Sequence, residues 1–173
     1  MNSFNPKLKS DKIENYKNFR KKFQGTVITF VHKPLTKNYY DSMPIVLGLR
    51  VIGSKIFGVN IKLVPLRDRI RLLNSMISLK YENEPRVAVN MLLRGKFSKI
   101  MAACFEIYEI KNIKSKIKIL EDDNWVYFSL NQYNSFKNIQ KSRIYTIVRK
   151  RIKDIKIPMK YILTAIKNSF KKK

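Results

Sequence analysis

Apolar residues recur along the chain at two periods, and each period predicts a different element. From Gly25, the run Thr26-Val27-Ile28-Thr29-Phe30-Val31 is β-branched and aromatic, which predicts a strand. Pro34 to Asp41 reads as a connection. Ile45 to Ile52 and Lys55 to Val64 predict two further strands, joined at Gly53-Ser54 in a hairpin. After Pro65 the period lengthens. Leu66, Ile70, Leu73 and Ile77 recur at helical spacing, with Arg67, Arg69 and Arg71 on the other side. Pro85 fits the first turn of the next helix, with Glu84 or Asn83 as its cap. Phe97, Ile100, Met101, Cys104, Phe105 and Tyr108 predict another helical stripe. Ser115 to Leu120 alternates Lys and Ile, as a half-exposed strand does. Glu121-Asp122-Asp123 places carboxylates at the start of a helix, where the macrodipole favours them. Trp125, Phe128 and Tyr133 are the apolar residues of that helix.

The two ends break this pattern. Residues 1–24 show no sustained periodicity and predict a basic arm that orders on a partner. Near the other end, Ser142 is placed to cap a helix carrying Ile144, Ile147, Val148, Ile152 and Ile155 on one face. Arg143, Arg149, Lys150, Arg151 and Lys153 occupy the rest. Pro158 interrupts it. Met159, Ile162, Leu163, Ile166 and Phe170 form a second stripe before Lys171, Lys172 and Lys173. Such stripes need a cover: the domain, a neighbouring copy or a membrane. The expected organisation is a basic arm at 1–24, an α+β core domain at 25–136, and a basic amphipathic helical tail at 137–173. The core is expected to be a small antiparallel sheet or curled barrel with helices packed on one side.

Charge sharpens that division. The 173 residues hold 37 Lys and Arg against 12 Asp and Glu, a net charge of +25. Residues 1–24 hold 7 basic and 2 acidic groups, and residues 25–136 hold 17 and 9. Residues 137–173 hold 13 and 1, so the net charges are +5, +8 and +12. A charge so far from zero repels itself in the compact state and calls for a counter-charge, most commonly polyphosphate. Lys outnumbers Arg, 27 to 10. Lys is a hydrated point charge that tracks phosphates more than it reads base edges. Binding to nucleic acid is therefore expected to ignore sequence and weaken with salt. The first-choice contacts are Lys21, Lys22, Arg143, Arg149, Lys150, Arg151, Lys171, Lys172 and Lys173. Tyr16, Phe19 and Phe23 lie among Lys17, Arg20, Lys21 and Lys22, a mixture suited to stacking on single strands or to anchoring the arm on a protein. An AT-rich coding sequence also enriches Lys, Ile and Asn, so part of the excess has that second explanation.

Candidate chemistry is sparse. His32 is the only histidine and Cys104 the only cysteine, so one chain forms neither an internal disulfide nor a typical zinc site. Cys104 sits on an apolar stripe, which predicts a buried thiol. The carboxylates 121–123 fit capping better than metal binding. No Gly-rich phosphate loop is present. A non-enzymatic protein without cofactor or metal is expected. Met1 to Ser10 lacks the apolar core of a signal peptide, and no stretch approaches the roughly 20 apolar residues that span a bilayer. Synthesis in a cytoplasm is expected, with no membrane partner.

The middle of the chain carries a further pattern: Gly25 to Pro34, Tyr39-Tyr40-Asp41 before Pro44-Ile45-Val46, and Phe57-Gly58-Val59-Asn60-Ile61-Lys62-Leu63-Val64-Pro65. It resembles a family of small virion-associated structural proteins of contractile-tailed bacteriophages. That family has Tyr-Tyr-Asp-x-x-Pro-Leu and Gly-x-Asn-x-His-Tyr-Leu-Pro motifs, then a helix beginning with Arg. Arg67, Arg69 and Leu72-Leu73 stand where that helix is expected. Tyr108 to Ile119, Trp125 and Phe136 resemble the family's ending, so the likeness covers about 25–136. Lys62 stands where the family has His, and Leu63-Val64 where it has Tyr-Leu. The resemblance implies a shared fold and a place in a virion, at a DNA-facing head–tail connector, tail lumen or hub. Other virion proteins would be partners. The alternative is a structural adaptor whose basic ends bind acidic surfaces of neighbouring baseplate or tail proteins. Physically, Asp41 before a Pro suggests an Asx-type turn, and Gly58 and Asn60 suggest a close backbone approach and a turn or bulge.

Overall fold

The structure is a computed structural model and describes residues 23–35, 39–125, 130, 135–156, 161 and 164. In chain order its elements are β1 (Val27–Thr29), β2 (Tyr40–Asp41), β3 (Ile45–Ile52), β4 (Lys55–Asn60), α1 (Leu66–Glu82), α2 (Pro85–Arg94), α3 (Ser98–Ala103), β5 (Phe105–Glu109), β6 (Lys118–Leu120), β7 (Phe136–Lys137) and α4 (Lys141–Asp154). Five strands form one antiparallel sheet in the order β5-β4-β3-β1-β6, and β2 pairs with β7 in a separate ribbon. The fold is α+β. The sheet is open, with β5 and β6 as its edges, so the curled-barrel alternative is set aside.

The two faces of the sheet follow strand parity. Val27, Ile45, Leu47, Leu49 and Val59 join Leu72, Leu73, Met76, Val89, Leu92 and Met101 in the main core, under the helices. Ile28, Val46, Val51 and Ile56 belong to a smaller cluster that also holds Phe23, Phe30, Tyr108 and Ile117. Val46 and Val51 share that cluster although they are five residues apart. A register shift between Gly48 and Arg50 reverses the alternation and makes this possible. Gly58 lies opposite Gly48, and a Cβ at Gly58 would overlap the Val46 side chain. The hairpin turn at Gly53, with φ +54°, matches the Gly-Ser signal.

Several expectations are corrected. Phe105 and Tyr108 lie in strand β5; α3 stops at Ala103. Residues 105–109 pair with β4, and that pairing overrides the helical spacing that Phe97 to Cys104 begins. The buried face of α1 is Arg69, Leu72, Leu73 and Met76, and Leu66 is 46% exposed. The helix is thus rotated from the expected stripe, with Arg69 inside. Strand β4 ends at Asn60, and Ile61–Leu63 turn as a 3-10 helix. Gln140, not Ser142, occupies the N-cap position of α4. Phe23 is 1% exposed and packs in the smaller cluster, so it offers no stacking platform. Tyr16, Phe19, Phe128, Tyr133, Pro158 and the expected stripe from Met159 to Phe170 lie outside the described residues.

Candidate functional site

Helix α4 takes the first of the three covers its stripe could have had. Ile144 and Val148 are buried in the main core, and Ile152 and Ile155 pack against it. These residues lie beyond position 136 yet share the core of the preceding segment. Fully burying Ile or Val stabilises by about 1.5–3 kcal/mol each, enough to hold the helix down. Arg143, Arg149, Lys150 and Lys153 remain exposed on its outer side. The only carboxylate in α4 is Asp154.

Arg151 differs from its neighbours. It is half-buried, with Nη1 3.6 Å from the Glu106 carboxylate, and it donates to the Ala103 carbonyl at 3.4 Å. Its other guanidinium nitrogen reaches the Tyr39 hydroxyl at 3.5 Å. Of the expected contacts, Arg143, Arg149 and Lys150 therefore share one exposed surface, whereas Arg151 turns inward. Lys21, Lys22, Lys171, Lys172 and Lys173 lie outside the described residues.

Beneath α4, β2 and the end of β4 meet at a buried polar hub. Asp41 accepts from the backbone of Met43 at 3.1 Å, which is the Asx turn, and from the Asn60 amide at 3.2 Å. It also accepts from Ser135 at 2.5 Å and forms an ion pair with Lys62 at 3.4 Å. Lys62 donates to Ser135 Oγ at 2.6 Å and to the Met43 carbonyl. Burial pushes the Lys62 ammonium below the ordinary lysine value, and the facing Asp41 carboxylate opposes that shift. Asn60 caps the 3-10 turn by accepting from the Lys62 backbone at 3.1 Å. Arg69 reaches the same turn from α1 and donates to the carbonyls of Lys62 and Val64 at 2.8 and 2.9 Å. The hub therefore ties β2, β4, α1 and the segment before β7 together.

Next to the hub, between β2, β5, β7 and α4, lies a cavity of about 290 Å³. Its inner wall is aromatic and polar, with His32, Tyr40, Asp41, Asn60 and Tyr108. Its outer wall is α4, through Ile144, Ile147, Val148 and Arg151; Tyr39, Leu63, Glu106 and Phe136 complete it. His32 is 3% exposed, and its ring meets those of Phe30, Tyr40 and Tyr108 edge to face, 5.1–6.4 Å between centroids. The Tyr108 hydroxyl is buried beside the Asn60 side chain. Burial, and then the Glu106 and Asp41 carboxylates, push that hydroxyl well above the usual tyrosine range, so it stays protonated.

The remaining candidates resolve as structural groups. Cys104 is buried, and desolvation raises its thiol to about 12, so it is not a thiolate at neutral pH. Asp122 begins a 3-10 turn, and both its carboxylate oxygens accept from Lys80 at 2.6 Å. Lys80 also lies 4.6 Å from the Trp125 ring centroid. No cluster of metal-binding side chains occurs among the described residues, and no described helix is long and apolar enough to cross a membrane.

No family model, curated protein or solved structure matches the chain. The cavity was not legible in the sequence, because its walls come from six separate stretches. The motif positions Tyr39-Tyr40-Asp41, Asn60, Tyr108 and Phe136 and the tail-helix stripe each marked part of it, but nothing in the sequence brought them together.

Proposed function

We propose that the chain is a non-enzymatic structural protein that binds the nucleic-acid backbone without sequence preference, at a DNA-facing position in a phage virion. The observation that carries the nucleic-acid part is the outer surface of α4. The helix spends its apolar stripe on its own core and leaves Arg143, Arg149, Lys150 and Lys153 exposed together. A fixed row of cations on a chain of net charge +25 suits a polyanion. The virion setting rests on the resemblance of the Tyr39–Asp41 and Gly58–Pro65 motifs. The alternative, a structural adaptor whose basic ends bind acidic surfaces of neighbouring virion proteins, draws on the same exposed cations of α4.

Anisotropy titrations of the full chain with duplexes of unrelated sequence test the proposal. Affinities should agree between sequences, and log K should fall linearly with log salt. Negligible binding at low salt would remove the nucleic-acid reading and leave the adaptor.

A further inference from the structure

We infer that the cavity beneath α4 is a socket for one unstacked nucleobase, whose phosphate is held by Arg143 and Lys150 at its rim. This rests on the nucleic-acid reading and adds a preference for single strands or frayed ends over intact duplex.

Size and shape come first. About 290 Å³ is at the small end of ligand pockets and suits a planar ring system. The rings of His32, Tyr40, Tyr108 and Phe136 line it, and any base can stack on such surfaces. Charge comes second. The carboxylates in the walls already have cations: Lys62 for Asp41 and Arg151 for Glu106. A balanced interior favours a neutral, polar, aromatic group over a free ion. Third, Tyr108 and Asn60, which interact with each other, put polar side-chain atoms in the wall. The edge of a base supplies both donors and acceptors for such atoms.

The rim supplies the fourth observation. Ile147 belongs to the cavity wall, and Arg143 and Lys150 lie one turn on either side of it along α4, at i−4 and i+3. Both are exposed. These two cations, next to a wall residue on the same helix, are the proposed phosphate contacts. An aromatic side chain from an acidic neighbouring protein is the competing occupant, and the test below separates the two.

The test uses the full chain and two labelled probes of equal length, a single-stranded thymidine oligonucleotide and a duplex. One stacked base contributes about 1–3 kcal/mol, so the single strand should bind roughly tenfold more tightly. Ile147→Trp, which fills the cavity from its wall, should abolish that preference. Equal affinity of the wild type for both probes overturns the socket while the backbone reading stands. A preference that survives in folded Ile147→Trp overturns it too. Absence of binding to either probe removes the backbone reading and the socket with it. If Ile147→Trp does not fold, adenosine monophosphate titrated into the wild type decides. Shifts of the His32 and Tyr108 ring resonances support the socket. Shifts confined elsewhere, or a response of these rings to N-acetyltryptophanamide alone, overturn it.

Discussion

Lys62 and Asp41 form a buried ion pair whose worth lies in what happens when one partner is lost. Asp41→Asn leaves the ammonium uncompensated among Met43, Ser135 and Asn60. Urea unfolding should show a loss of about 3–5 kcal/mol; a loss within experimental error would mean that the hub does not hold the fold. The pair also predicts a pH dependence. Folding lowers the Lys62 pKa from its ordinary 10.5, so the unfolded chain binds the proton more tightly. The penalty is fully present below the folded pKa and is relieved as pH rises from there towards 10.5. Wild-type stability relative to Lys62→Met should therefore increase across that window. A flat or falling difference would contradict the depressed pKa. Cys104 gives a simpler expectation. With its thiol raised to about 12 and fully buried, it should react with a disulfide reagent only at the rate of unfolding. Fast labelling of the native protein would place it at the surface.

Among the elements, α4 unites the two halves of the proposal, because one face packs and the other stays charged. Ile144→Ala should cost about 2–5 kcal/mol. Arg149→Gln, on the exposed side, should change stability by no more than about 0.5 kcal/mol and weaken polyanion binding. If both were neutral to stability, the helix would not be part of the core. The packing stripe of α4 was legible in the sequence because Ile144, Val148, Ile152 and Ile155 keep one period throughout. The β3–β4 hairpin was legible for the same reason, helped by Gly53. β5 was not. Phe105 and Tyr108 continue the helical spacing set by Phe97, Ile100 and Cys104, and only pairing with β4 decides the matter. Arg69 was misplaced because charge alone suggests an exposed side chain. The sequence does not show that the carbonyls of Lys62 and Val64 converge on it. The cavity needed the same long-range information.

For the whole molecule, the net charge of +25 fixes no partner, because self-repulsion is relieved by any anion. What narrows it is where the cations are held. Lys62 and Arg69 are spent inside, holding the hub, and Arg151 is turned towards Glu106. Arg143, Arg149 and Lys150 are free of the core and fixed on one helix. A sequence-independent contact with phosphates through that surface is the central claim. It is tested most directly by the salt dependence of duplex binding, comparing the wild type with a variant carrying Arg143→Gln, Arg149→Gln and Lys150→Gln. The predicted result is a log K against log salt slope shallower by about one for each lost phosphate contact, with unchanged folding. An unchanged slope in the folded variant would contradict the assignment of binding to α4.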